Sequence, residues 1–569
     1  MSDQLPGQLI YIFAVSILDA ALLSWLVLIW YRRSVRRLMR QGAPGTAAAS
    51  SKATPLPSPS AISVDPVQSD LSLVVEQMRA AARSSVVRRG FNRLAVSYCA
   101  GAAAYAAVIT ALKYTNQSTG LPAVAWLVDW WTNLWPLVPT LVALFVLDRR
   151  LSARLVAFYI VGGAAGIGLF TAAGQLLRGT LNSAPVTNIF WAMAGLVWSA
   201  SIPLVLVAFT SWRRVRAVMP LALAATITFG FSSTLFRELL TRALDLGGFR
   251  SFFLGGAVFS SVAVMQYTLF MIVSLPVGWI AWLLLKAIAR AYGNKAFSDV
   301  QLVVDCWWAV VAAEMTATTL SIIHGFTGIA GGLFAFAAYR ITVSAVLRGF
   351  RRPDTESPKL LLLRVFGYQA RTESLFDRVA QTWRFHGPVQ LIAGADLTMR
   401  TTDPGDLLAL LGGHLADSYV AATDEIGSRL GRLDLRPDPD GRFRVNEVYC
   451  RDNTWRPTLE ALLDSSDTVL MDLRSFSTNN AGCIFELEQL VPRLSSADIV
   501  FVCDKTTDMR LLRGVLAGAW AATERPSGTP RTAAISVVQI ERQSPSEISV
   551  LMDRLFRAPQ PVPDGALAV

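Results

Sequence analysis

The sequence predicts a polytopic α-helical membrane region followed by a C-terminal, doubly wound α/β domain. Three observations carry this. Of the 569 residues 53% are hydrophobic and only 16% charged, too apolar a composition for a soluble chain of this length. The excess is uneven, because long apolar runs fill most of residues 9–347 while the tail from Arg351 onward has ordinary globular composition. Within that tail, short apolar runs alternate with stretches of helical spacing, the pattern of repeated βα units.

The first apolar run, 9–30, is long enough to cross a hydrocarbon core of about 30 Å, and Arg32, Arg33, Arg36, Arg37 and Arg40 follow it. Residues 1–40 are therefore expected to form an anchor with its N-terminus outside. A cleavable signal would carry its charge before the run, so the anchor is read as retained. Residues 41–70, rich in Ala, Ser, Pro and Thr without apolar periodicity, read as a disordered linker. The polytopic region 71–350 then holds runs near 94–112, 126–147, 155–177, 189–209, 217–236 and 262–285. The stretches 303–323 and 325–347 form one further hairpin or none, for a total of about seven or nine spans. Either count leaves residues 351–569 on the same side.

A net charge of +11 invites a nucleic-acid reading, but the arginines cluster beside apolar runs, as at Arg149, Arg150 and Arg154 or Arg213, Arg214 and Arg216. Positive-inside topology accounts for them, and no stripe of aromatic and basic residues suggests nucleic acid as a partner. The expected location is the cell inner membrane, multi-pass, with the C-terminal domain in the cytoplasm. Five cysteines and three histidines are scattered, which argues against a metal site, a disulfide framework or a histidine-based triad. Asp19, Asp129, Asp305 and Glu314 lie in or near apolar runs, where a charge is expensive. An ion pathway is one reading; interfacial placement or helix-to-helix hydrogen bonding is the other.

In the C-terminal domain, 359–366 (KLLLLRVF) is a continuous apolar run suited to a central parallel strand. Helix 372–385 and strand 388–393 follow, then helix 457–463, strand 468–473, helix 481–490, strand 498–503, helix 508–520, strand 533–540 and helix 545–556. Between 406 and 454 a helix and a hairpin turning at PDPDG (437–441) are expected. Ligands of such sheets sit beyond the carboxyl ends of the strands, here 367–371, 394–400, 474–480 and 504–507. Gly367 opens the first of these ends. The third leads into a helix carrying Cys483, Glu486 and Glu488, whose glutamates are either solvated helix-face residues or a carboxylate placed at the crevice.

From 361 to about 490 the domain resembles the Toll/interleukin receptor (TIR) superfamily. The matching features are LLLLRVFGYQARTESLFD, the loop GADLTMRTTDPGD after the second strand, and the helix with Cys483-x-x-Glu486-Leu487 after a buried strand. Residues 472–486 are also similar to nucleoside deoxyribosyltransferases. The resemblance implies a flavodoxin-like, TIR-like sheet and an N-glycosidic bond as target, with NAD as substrate and no cofactor. It makes Glu486 the catalytic residue, acting on an oxocarbenium-like state. Arg364, Arg371 and Arg400 would meet the diphosphate, and Asp472 and Asn480 would position the ribose. Gly482 stands where a tryptophan usually accompanies the cysteine, and 406–454 is an insertion.

These features imply a membrane-tethered effector that consumes NAD or a related nucleotide and works as a homo-oligomer; in bacteria such effectors commonly serve in defence against phage. A nucleotide-binding or assembly module without turnover is the alternative. A transporter with a regulatory tail ranks last, because matching halves with broken helices are not evident.

Overall fold

The computed structural model describes residues 25–38, 70–115, 123–144, 153–163, 262–349, 357–364, 369–393, 404–451, 453–493, 498–522 and 536–556, with isolated positions between 165 and 239. The chain divides into a helical unit (Met1–Arg33, Phe91–Arg351, Thr401–Gly413) and a sheet unit (Ser34–Gly90, Arg352–Arg400, His414–Val569). The linker expected at 41–70, apart from Asp70, lies outside the described residues, as do most of the runs at 9–30, 155–177, 189–209 and 217–236.

Among the described helices of the first unit are α1 (Asp70–Tyr114, which begins in the sheet unit), α2 (Ala123–Leu134), α3 (Leu137–Leu144), α4 (Val262–Gly293), α5 (Asp299–Met315) and α6 (Phe326–Gly349). Among the described residues, three helical stretches are long and apolar enough to cross a membrane: Arg89–Tyr114, Leu275–Gly293 and Phe326–Gly349. The run at 126–147, expected as one span, breaks into α2 and α3. Pro136 has no N–H to continue the helical ladder, and its carbonyl instead accepts from Trp307 Nε1 (3.1 Å) and Thr140 Oγ1 (3.2 Å).

The stretches near 303–323 and 325–347 form a helical hairpin. A capping box starts α5, with Ser298 Oγ accepting from the Gln301 amide at 3.1 Å and Gln301 answering the Ser298 amide at 2.9 Å. Trp308 of α5 stacks on Tyr339 of α6 at 5.0 Å and meets Tyr105 of α1 edge-on at 5.0 Å. Gly101 lets α1 approach this stack, since a Cβ there would fall 2.9 Å from the Tyr339 ring. Two acidic residues of the apolar runs pair with neighbouring helices: buried Asp305 pairs with Arg340 (3.0 Å) and accepts from the Tyr339 hydroxyl (3.2 Å), while half-buried Asp129 pairs with Lys113 (3.0 Å).

Among the described residues the sheet unit has seven strands: β1 (Leu360–Arg364), β2 (Val389–Ala393), β3 (Tyr419–Val420), β4 (Val445–Cys450), β5 (Thr468–Asp472), β6 (Asp498–Cys503) and β7 (Ser536–Gln539). All neighbours pair in parallel, in the order β3-β4-β2-β1-β5-β6-β7. β1 and β5 are buried along their whole length, as strands covered on both faces must be. Alternate residues feed two cores. Leu361, Leu363, Val469 and Met471 pack with α9 (Trp455–Ser465), α10 (Ala481–Leu490) and α11 (Met509–Ala522). Leu360, Leu362 and Leu470 pack with α7 (Gln369–Trp383) and α12 (Pro545–Leu555).

The insertion departs from the expected hairpin. The turn is present, with the Gly441 amide donating to Asp438 O at 2.9 Å and Gly441 at φ +82°. No strand lies between β3 and the turn, however, and β4 pairs in parallel with both β2 and β3. The Asn446 side chain stands in for the missing antiparallel partner, accepting from the Asp434 amide (2.8 Å) and donating to Asp434 O (3.0 Å). The insertion opens with α8 (Pro404–Gly412), which belongs to the helical unit.

Leu470 lies at the centre of β5 with no exposed surface. Leu470→Ala is expected to destabilise the sheet unit by about 2–5 kcal/mol, read as a lower unfolding midpoint in urea.

Candidate functional site

With the inserted β3 and β4 set aside, the strand order reverses between β1 and β5, and a crevice at their carboxyl ends is the default ligand position of an open parallel sheet. The register brings Arg364, the last residue of β1, opposite Asp472, the last residue of β5. Both are buried.

Beyond β5 the chain folds back on itself. Arg474 grips Asp472 through Nε–Oδ1 at 2.8 Å and Nη2–Oδ2 at 2.7 Å, a two-pronged pair with both side chains out of water. Ser475 then adopts a left-handed conformation (φ +65°), a strain on the order of 1 kcal/mol for a residue with a Cβ. Hydrogen bonds from the β6 end hold it there: the Ser475 amide donates to Thr506 Oγ1 (2.9 Å), and Thr507 Oγ1 donates to Leu473 O (3.0 Å). Asn480 caps the turn that follows, its Oδ1 accepting from the amide (2.9 Å) and hydroxyl (3.0 Å) of Ser477.

Helix α10 begins immediately afterwards and presents Cys483, Glu486, Leu487 and Leu490 inward, the i, i+3, i+4, i+7 stripe of a buried face. Cys483 Sγ donates to the carbonyl of Arg364 at 3.6 Å, which joins α10 to the end of β1. Glu486 lies one turn further along the same face and is only 4% exposed, whereas Glu488 is exposed. Glu486 Oε2 accepts no hydrogen bond among the described residues. Burial pushes its carboxyl up to about 8, with the Arg364 guanidinium pulling in the opposite direction. Near neutral pH the group is mostly protonated, and an approaching cation would favour its ionised form.

Of the residues the sequence nominates, Arg364, Asp472, Cys483 and Glu486 come together at the β1/β5 switch. Asn480 stands at the N-terminus of α10, and Arg371 falls in the first turn of α7. Gly367 and Arg400 lie outside the described residues. Asp472 is already engaged by Arg474, a residue the sequence reading passed over. The Asp-x-Arg spacing at a strand end was its only signal, and the pairing depends on a backbone turn that spacing does not reveal.

Two stability effects follow. Arg474→Ala leaves the Asp472 carboxylate buried without its bidentate partner, and is expected to cost about 3–5 kcal/mol, measurable as a reduced urea midpoint of the sheet unit. Glu486 has the opposite sign. Its folded value of about 8 lies above the ordinary 4.5, so the folded state holds the extra proton and stability falls as pH rises between those values. Glu486→Gln removes that penalty, on the order of 3 kcal/mol at pH 7; its thermal midpoint should equal the parent's near pH 4.5 and exceed it at pH 8. No family model matches the chain, and neither a curated protein nor a solved structure matches it, so the chemistry of the crevice is read from its own residues.

Proposed function

We propose that the sheet unit is a TIR-like domain of flavodoxin-like strand order that hydrolyses the N-glycosidic bond of NAD or a related nucleotide on the cytoplasmic side of a membrane. The carrying observation is Glu486: a carboxyl buried at the switch point, with one oxygen accepting no hydrogen bond among the described residues and a pKa raised by burial. Such a group gains most from a ligand that brings positive charge to it. The nicotinamide ribosyl group is such a ligand, and charge builds on the ribose as its bond to nicotinamide breaks. Water adds at the ribose carbon, nicotinamide leaves with the bonding pair, and a proton is released. Arg364 ends β1 at the same switch point and would meet the diphosphate, as the resemblance implies; Asp472, locked by Arg474, lies opposite it in register. The long apolar helices favour a membrane tether, with self-association as the resemblance implies and anti-phage defence in bacteria as its setting.

A nucleotide-binding or assembly module is the second reading, and the depth of Glu486 favours it, because a carboxyl with 4% exposure is poorly placed to meet substrate without local opening.

The full chain in lipid nanodiscs is expected to release nicotinamide and ADP-ribose from NAD, with Glu486→Gln lowering turnover by at least a hundredfold while remaining folded. Since the carboxylate is the working form, kcat/KM should rise with pH and level off above about 8. Undiminished turnover in the variant sinks the catalytic role of Glu486. Saturable NAD binding by a folded parent without turnover selects the binding module.

A further inference from the structure

Helix α4 carries a line of exposed side chains that changes character along its length. Leu275, Trp279, Trp282, Lys286 and Arg290 follow one another at steps of three or four residues, which places them on one face. All five are exposed, Leu275 by 75%, Trp279 by 55% and Trp282 by 39%. The adjacent face carries Leu285 and Ala289, which are buried, so the helix packs by that face and leaves the line uncovered among the described residues. A Cβ on Gly278 would likewise meet nothing within 4 Å. Leu275–Gly293 is the least buried of the three stretches long and apolar enough to cross a membrane.

The polar end of the line is basic, and α4 contains no acidic residue to oppose it. Lys286 Nζ lies 5.4 Å from the centroid of the Trp282 ring, a contact that holds the ammonium at the boundary between the apolar and the basic part. Arg290 follows one turn later, close enough for both cations to reach one phosphate. Positive-inside topology accounts for cations near the end of a span on any face; it does not require them to continue the line of exposed indoles. The length of the line also fits a leaflet. The rise from Leu275 to Arg290 is about 22 Å, and half a bilayer is about 15 Å of hydrocarbon under about 6 Å of headgroup.

We propose that this face of α4 binds an anionic phospholipid, with the headgroup phosphate held by Lys286 and Arg290 and an acyl chain lying along Trp282, Trp279 and Leu275. The charge of the two cations selects the anionic headgroup, and the exposed apolar part of the line takes the chain. The site rests on the membrane reading of α4 and is independent of the chemistry at the crevice.

Lipid retention by the full chain tests it. The protein in detergent is titrated with dioleoyl phosphatidylglycerol or dioleoyl phosphatidylcholine, and bound lipid is counted by native mass spectrometry. The parent is expected to hold phosphatidylglycerol at least tenfold more tightly than phosphatidylcholine. Lys286→Gln and Arg290→Gln should each weaken phosphatidylglycerol about fivefold, and together about twenty-five-fold, with phosphatidylcholine unmoved. Trp279→Ala should weaken both lipids alike. All three positions are exposed, so the variants keep the parent's fold. Equal retention of the two lipids by the parent, full phosphatidylglycerol affinity in the double variant, or retention unmoved by Trp279→Ala overturns the site. Alkaline carbonate extraction of membranes separates the two readings: a chain that is released defeats the membrane reading and the site with it, whereas a chain that stays in the membrane without preferring phosphatidylglycerol defeats the site alone.

Discussion

The pairing of β1 with β5 is the constraint on which the sheet unit depends. Both strands are buried from end to end and run in register from Leu360 opposite Thr468 to Arg364 opposite Asp472. Strands with no wet face need cover on both sides, which α9, α10 and α11 supply on one face and α7 and α12 on the other. β6 and β7 extend the sheet beyond β5, while β2 and β4 extend it beyond β1. The strand order therefore reverses at the β1/β5 boundary, the place where open parallel sheets take their ligands. The register ends there on two buried residues of opposite charge, Arg364 and Asp472.

Buried charges need answers, and the two glutamate and aspartate carboxylates at this end receive different ones. Asp472 is answered within its own turn by Arg474, at the cost of a left-handed Ser475. Glu486 is opposed only by the nearby Arg364 field and by protonation. A glutamine would fill a similar volume with no proton demand, and a leucine would extend the stripe of Cys483, Leu487 and Leu490. A carboxyl at this position is poor for stability, and the proposed role of Glu486 in meeting a cationic ligand rests on that cost.

Much of this was legible in the sequence for a physical reason. Continuous apolar runs of strand length mark strands covered on both faces, and β1, β5 and β6 fall where those runs lie. The burial of Glu486 was not read from the sequence: spacing left both glutamates open to a solvated reading, and only the formed helix shows 483, 486, 487 and 490 as one buried stripe that excludes 488. The insertion was not legible. A turn at Gly441 normally implies two antiparallel arms, whereas here the segment before the turn forms no strand and is bonded to β4 through the Asn446 side chain, which reaches both backbone groups of Asp434. The break at Pro136 lay in plain view but mattered only once its carbonyl found Trp307, far along the chain.

The hairpin of α5 and α6 poses the same problem of buried charge in an apolar setting. Asp305 and Arg340 meet because the chain reverses at Gly325, and a slip of one helical turn, about 5.4 Å, would separate them and strand both in apolar surroundings. Such a pair adds little to net stability, because removing two charges from water costs about as much as their attraction returns, yet it penalises every other register strongly. The Trp308–Tyr339 stack tolerates small slides, since apolar contacts are exchanged for similar ones. The ion pair does not. Register specificity in the hairpin therefore rests on Asp305 and Arg340, and any alternative packing of α5 against α6 must either carry the pair along intact or replace it with another polar partner.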